Sequence, residues 1–288
     1  MFKISESERE YLVGGILQNV RNDGRANLDF RSIVVKTGVL TQTHGSARVQ
    51  LANTDVLVGI KLETGEPEAQ APHHGRIHVS VECCPSASPE FEGRGGESLN
   101  NELTLVIERI IKDTSSFDLS KFSIIPGKLV WIIYIDAMVL DSGGNLFDAI
   151  SLGTRAALHN TMVPHVDVNI EAEEFTVSDD PESFTRIDVS DIPISVTFCK
   201  IGSGYVVDAS IEEESCMSVR TTVGVNKKGN ICTLQKGGHG SIDPTTMYQM
   251  IASAKKIGMR LIEGLDKTLH TESNDLQSKK NIGFFIDQ

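Results

Sequence analysis

His73, His74, His78, Cys83 and Cys84 crowd one short stretch of this sequence and invite a test for metal ligation. Structural zinc takes four ligands that arrive as C-x₂₋₄-C or H-x₃₋₅-H pairs. Only His74 and His78 meet that spacing, so a buried thiol and surface histidines are expected. Gly237-Gly238-His239-Gly240 has the glycine content of a phosphate loop but no Lys-Ser/Thr opening a helix, and it reads as a turn. Asp208-Ala209-Ser210-Ile211-Glu212-Glu213-Glu214 is an acidic run, and such runs ordinarily face solvent, here at a strand end. Arg109 and Lys112 stand three apart and would share a helix face, where cations near a C-terminus are favoured whatever the function. Arg94 lies in the glycine-rich stretch Gly93-Arg94-Gly95-Gly96, a flexible loop able to meet a partner.

The elements that must hold these residues follow from hydrophobic period. Ser5 and Glu8 form a capping box ahead of Tyr11, Leu12, Ile16 and Leu17, which predicts a first helix. Period-two alternation at Ile33/Val35, Ala47/Val49/Leu51, Val56/Val58/Ile60/Leu62 and Ile77/Val79/Val81 predicts strands with one buried face. Ser98 is expected to cap a helix carrying Leu99, Leu103, Val106, Ile107 and Ile110. Leu129 to Leu140 reads as a strand covered on both faces, followed by a helix from Asn145 to His159. The acidic stretch from Asp167 to Asp191 lacks a clear period and is taken as the domain junction. Strands at Ile194–Ile201, Tyr205–Ala209, Val219–Asn226 and Ile231–Gln235 follow. Asp243-Pro244 then opens a long helix with Met247, Ile251, Ala254, Ile257, Leu261 and Leu265 on one stripe. The tail from Thr271 is polar and expected to be mobile.

With 288 residues, 40% of them hydrophobic, the chain can bury one large core or two modest ones. No apolar run suits a membrane span or a secretory signal, so a soluble, unprocessed protein is expected. Five cysteines, an odd number with two adjacent, make a poor disulfide framework and fit a reducing compartment. A formal charge of −12 opposes free binding to a polyanion, so any RNA contact must use a local or shared basic surface.

Arg21-Asn22-Asp23-Gly24-Arg25, Gly45-Ser46-Ala47-Arg48-Val49 and Asn53-Thr54-Asp55-Val56-Leu57-Val58-Gly59 run in the register of RNase PH-family domains. With Pro89-Glu90-Phe91-Glu92-Gly93-Arg94-Gly95-Gly96 and Gly143-Gly144-Asn145-Leu146-Phe147-Asp148-Ala149-Ile150, they closely resemble the non-catalytic type of exosome ring subunit, homologous to the silent subunit of the archaeal ring. The resemblance implies an α+β chain of RNase PH fold, with two ribosomal-protein-S5-domain-2-like lobes of mixed sheets and packed helices. The expected divisions are an N-terminal helix and extension over 1–25, domain 1 over 26–190, domain 2 over 191–270 and a tail over 271–288.

The resemblance also implies what has been lost. Phosphorolysis needs inorganic phosphate held by cations and backbone donors. Active relatives supply a Gly-Gly-Thr-Arg-type turn, where this chain has Gly143-Gly144-Asn145-Leu146, and an arginine before a helix Glu, where it has Asn100-Asn101 before Glu102. Their two aspartates six apart, which bind a metal ion or act as acid, correspond to Asp208 and Glu214. The expectation is therefore a subunit without catalysis, metal or cofactor, in which Asp208 and Glu214 are vestigial and Arg109, Lys112 and Arg94 contact RNA. The implied partners are other RNase PH-like subunits in a six-membered ring, S1/KH cap subunits, an associated hydrolytic exoribonuclease and single-stranded RNA. The implied places are nucleus, nucleolus and cytoplasm, and the implied work is ribosomal RNA processing and RNA turnover. Two rivals stand beside this: an active phosphate-dependent exoribonuclease using Asp208 and Glu214, and an acidic scaffold that touches no RNA.

Overall fold

The computed structural model describes residues 4–112, 117–169, 174–178, 180–274 and 282–284. In chain order the main elements are α1 (Glu6–Leu17), β1 (Ile33–Thr37), β2 (Gly45–Leu51), β3 (Thr54–Gly65), β4 (Arg76–Cys83), α2 (Glu97–Lys112), β5 (Ser123–Ile125) and β6 (Leu129–Asp141). There follow α3 (Leu146–Asn160), β7 (Met162–Val163), β8 (Val166–Asn169), β9 (Glu174–Val177), β10 (Thr185–Arg186), β11 (Ile194–Ile201) and β12 (Gly204–Val207). The chain continues through α4 (Ile211–Cys216), β13 (Val219–Val225), β14 (Ile231–Gly237), α5 (Pro244–Asn274) and β15 (Ile282–Phe284).

The larger sheet has the order β15-β1-β2-β3-β6-β4, with β5 also paired to β6. Only β4 runs parallel to its neighbour. The smaller sheet is β12-β11-β13-β14, antiparallel throughout. Helix α3 lies between them, and every side chain from Leu146 to Leu158 is buried. At Gly153 a Cβ would stand 2.9 Å from Val58, so the helix meets β3 at glycine distance. On its other side, Ser151 Oγ accepts the Ser195 N–H of β11 at 2.9 Å. From the same helix, buried Arg155 donates to the carbonyls of Val189 (2.7 Å) and Ile192 and to Asp266 of α5 (2.9 Å). The segment between the sheets is thereby fixed to both.

Several sequence expectations are revised. Ser98 lies inside α2, which starts at Glu97. Strand β6 is covered on both faces only over Val130–Ile133; beyond that it alternates, leaving Asp136 and Met138 exposed. The α5 stripe is buried at Met250 rather than at Met247 or Ile251, which are half-buried. The junction is not free of structure, since β8 pairs with β9 and β10 with β7; its Glu171, Glu173 and Asp179 lie outside the described residues. The tail expected from Thr271 instead continues α5 to Asn274, and β15 adds an antiparallel strand to β1; residues 275–281 and 285–288 lie outside the described residues.

One carboxylate in the α3–β11 interface sets a measurable property. Asp148 is fully buried, accepts from Asn145 Nδ2 (2.9 Å) and the Thr197 N–H (2.9 Å), and meets Thr197 Oγ1 at 2.8 Å. Burial pushes its pKa up to about 7 against these hydrogen bonds, with the charge of Asp208 adding to the rise. The folded chain therefore holds a proton that the unfolded chain releases near its ordinary value, and stability falls as pH rises through that window. In Asp148→Asn the amide oxygen can accept the same two N–H groups and the NH₂ can donate to Thr197 Oγ1. We expect wild type to lose roughly 2–4 kcal/mol more than Asp148→Asn between pH 5 and pH 8. Unfolding curves that run parallel across that range would contradict this.

Candidate functional site

Of the sequence-predicted site residues, Asp208 and Glu214 converge on the Gly143–Leu146 turn that opens α3. Gly144 has φ +94°, and a Cβ there would lie 2.5 Å from the Ala209 carbonyl, so only glycine permits this approach to the end of β12. Asn145 follows at φ +57°, a left-handed conformation that asparagine tolerates better than most residues. In this pose Asn145 binds three carboxylates. Its N–H donates to Glu214 Oε1 (2.8 Å), and its Nδ2 donates to Asp208 Oδ1 (2.8 Å) and Asp148 Oδ2 (2.9 Å). Leu146, in the place of the relatives' arginine, is buried at the first position of α3.

Asp208 overturns the reading of residues 208–214 as a solvated acidic turn. It is fully buried, at φ +49°, and its carboxylate accepts five hydrogen bonds. Arg31 gives three, from its N–H (2.8 Å), Nε (2.9 Å) and Nη2 (2.7 Å); Arg25 Nη1 (3.0 Å) and Asn145 give the others. A carboxylate has about four lone-pair sites, so none is left for a metal ion or a substrate proton. Burial raises its pKa, but the Arg31 hydrogen bonds and the charges of Arg31 and Arg25 outweigh that and hold it below the ordinary value. Glu214 moves the other way. Burial raises it, with the charge of Asp208, against the Asn145 N–H and the charges of Arg220 and Arg31.

The remaining acids of the run have separate roles. Ser210 and Glu213 form the capping box of α4, which places Glu212, Glu213 and Glu214 in a first turn where negative charge is favoured. Glu213 is buried and pairs with Arg21, whose guanidinium also donates to the carbonyls of Val207 and Asp208, each at 2.9 Å. Only Glu212 is exposed. Residues 21–31 thus tie the end of β12 to the turn before α3, since Arg31 also donates to the carbonyls of Gly143 (2.9 Å) and Gly144 (3.0 Å). A cleft of about 610 Å³ lies alongside, lined by Asp23, Arg25, Arg31, Asn53, Ser210 and Glu213 among others.

Sequence reasoning missed the partners of the acids. Arg21 and Arg25 belong to a motif quoted for family likeness, but nothing local links them to residues nearly two hundred positions away. Arg31 carried no signal at all. Arg220 was also missed: it pairs with Glu102 of α2 and its guanidinium stands 4.1 Å over the Phe147 ring. A cation therefore lies close to the turn from which the sequence had removed one.

The predicted RNA contacts lie apart from the Asp208 knot. Arg109 and Lys112 are exposed on α2; Arg109 donates to Gln235 of β14 (3.3 Å) and Lys112 pairs with Glu108 (2.6 Å). Arg94 is exposed in the loop before α2. Cys83 is buried and its thiol is pushed up to about 12 by burial, while His78 stacks on Tyr134 at 5.4 Å. Among the described residues no three His, Cys, Asp or Glu side chains are placed to hold a metal ion. None of the helices there is long and apolar enough to cross a membrane.

Comparison with known proteins agrees with this geometry. Residues 29–164 match domain 1 of the 3′ exoribonuclease family and residues 191–257 match domain 2. An RRP42 relative from Dictyostelium discoideum, named for the exosome complex, is 42% identical over 95% of this chain and 100% of its own length. A chain of the solved archaeal exosome core superposes with a TM-score of 0.78 at 32% identity, covering 91% of this chain and 97% of the other. A chain of the Archaeoglobus fulgidus exosome, solved with RNA bound to the active site, gives 0.77 at 34% identity over 90% and 97%. Two family domains in order, over a fold with both sheets and the central helix in place, decide the matter: the chain belongs to the 3′ exoribonuclease (RNase PH) family and stands among its Rrp42-type exosome proteins.

Proposed function

We propose that this chain is a ring subunit of an RNA exosome that supports assembly and guides RNA without cleaving it. The observation that carries the non-catalytic part is the engagement of Asp208. The carboxylate that an active relative would aim at metal or leaving group is enclosed here by Arg31, Arg25 and Asn145. Leu146 and Asn100-Asn101 further weaken a phosphate clamp, and loss of one preorganised electrostatic contact alone costs about 10²–10³ in rate. Kinship with exosome proteins, one solved with RNA, supports the ring and the RNA. Uncovered apolar side chains such as Tyr11, Leu17, Val20, Leu105 and Tyr248 are what a subunit with neighbours would show. In this reading cap subunits of S1/KH type and a hydrolytic exoribonuclease complete the particle. It acts on ribosomal and other RNAs in nucleus, nucleolus and cytoplasm, which a fluorescent fusion would check.

The purified chain, alone and with its co-purified neighbours, should neither shorten RNA in phosphate nor extend it with nucleoside diphosphate. Phosphate-dependent laddering abolished by Asp208→Ala would refute the non-catalytic reading. Asp208→Ala should instead destabilise the fold by about 3–5 kcal/mol, because it strands the Arg31 and Arg25 guanidiniums in a buried site. Since the folded-state pKa of Asp208 is depressed, its contribution is present above the ordinary carboxylate range and fades as pH falls through the folded value. Thermal midpoints of wild type and variant should therefore converge on acidification.

For RNA passage, Arg109→Ala with Lys112→Ala in an intact ring should weaken single-stranded RNA binding. It should also flatten log K against log salt by about 1.4, or 0.7 per phosphate contact. An unchanged slope would mean that both side chains merely face solvent.

A further inference from the structure

The crowded histidines at 73–78 bind no metal in the reading above, yet the fold gives one of them a setting. Loop residue His74, Arg76 at the start of β4 and Lys112 at the end of α2 border a single recess of about 320 Å³, together with Glu68, Gly75 and Leu119. Two segments far apart in sequence, residues 74–76 and the end of α2, thus bring nitrogen-bearing side chains to one place, in a chain of net charge −12.

The Arg76 guanidinium is underused. Its Nε is buried with no hydrogen-bond partner, Nη1 reaches the Glu66 carbonyl only at 3.5 Å, and Nη2 meets the His78 ring at 3.3 Å. Glu68 Oε1 makes a long ion pair with Nε at 3.8 Å, beyond hydrogen-bond range, from a side chain that is 60% exposed. Of the other neighbouring acids, Glu108 is paired with Lys112, so Lys112 meets an anion only by exchanging partners, and Asp118 accepts from the N–H (3.1 Å) and hydroxyl (2.5 Å) of Ser120 while keeping its charge. A buried guanidinium donor without a partner favours an anion with several acceptor oxygens. The recess opens to solvent, and exposed Arg109 lies one turn back along α2, so the cations form a track rather than a closed pocket. A track suits a polymer of phosphates.

We propose that this recess takes a phosphodiester of single-stranded RNA, with Arg76 as the main donor and Lys112 and His74 at its rim. The proposal rests on the RNA-guiding reading and adds to it a contact site at the β4 entry.

The test uses the full chain in complex with its co-purified ring partners and a fluorescently labelled oligoadenylate, titrated by anisotropy at several salt concentrations. Arg76→Gln should lower the slope of log K against log salt by about 0.7. That is a loss of about fivefold at 0.1 M salt if the two proteins are alike at 1 M. Arg76→Lys, which keeps the charge, should keep most of the slope. Should Arg76→Gln fail to assemble, photo-crosslinking of 4-thiouridine RNA to the wild-type complex gives an independent answer, with attachment expected on the peptide containing residues 72–77. Unchanged affinity and slope in Arg76→Gln, or crosslinks that avoid this peptide, would overturn the proposal. A wild-type complex that binds no RNA would sink the guiding reading as well. Loss of binding in Arg109→Ala with none in Arg76→Gln would sink this proposal alone.

Discussion

The arrangement depends most on how one buried negative charge is compensated. A carboxylate taken out of water is tolerated only when opposite charge and hydrogen bonds replace its hydration. Asp208 obtains both from residues 25–31 and from Asn145. Because these partners lie in residues 25–31 and in the turn before α3, and Asp208 itself at the exit of β12, satisfying one side chain fixes the relative position of three segments. The left-handed backbone at Asp208 and Asn145 and the missing Cβ at Gly144 are the steric terms of that same closure.

Chemistry follows from the compensation. A metal ion would also supply positive charge to the carboxylate, and the guanidiniums already do so from within the chain while spending N–H donors that an incoming phosphate would need. The knot therefore stands where a reacting centre would need open valences, and its arginines are engaged by Asp208 and Glu213. Cations that could meet RNA lie elsewhere, on α2 and the entry to β4, exposed or incompletely paired. An acidic protein can still contact a polyanion when its cations are sorted in this way. Buried arginines neutralise buried acids, and other cations remain at the surface, Arg109 and Lys112 among them.

How much of this was legible in the sequence differs by kind of signal. Strand β3 and the buried face of α2 follow from period alone, because one covered face imposes it. The α4 capping box is legible in principle, since Ser210 and Glu213 have the same spacing as Ser5 and Glu8, but it lies within an acidic run whose composition resembles a solvated turn. Solvent exposure of Asp208 was misjudged because burial of a charge depends on partners remote in sequence. Arg21 and Arg25 were visible as a motif and Arg31 not even as that. The extent of α5 and the pairing of β15 with β1 were missed because a polar composition does not prevent backbone hydrogen bonding. What spacing encodes could be read, and what only tertiary contact supplies could not.

The retention of acids in a chain read as non-catalytic has a physical explanation that needs no residual activity. Once arginines are buried against Asp208 and Glu213, deleting either carboxylate leaves an uncompensated cation in a dry site, at a cost comparable to much of a domain's net stability. Replacing the whole set with apolar residues would require several simultaneous changes, each harmful alone, since members of one network are not additive. Asn145 adds a further coupling, for its single amide serves Asp208 and Asp148 together, and through Thr197 Oγ1, 3.2 Å from Thr222 Oγ1, the linkage reaches β13. The acids that resemble a catalytic pair therefore tie the end of β12 and the start of α4 to the turn before α3, and their presence is evidence about the fold before it is evidence about a reaction.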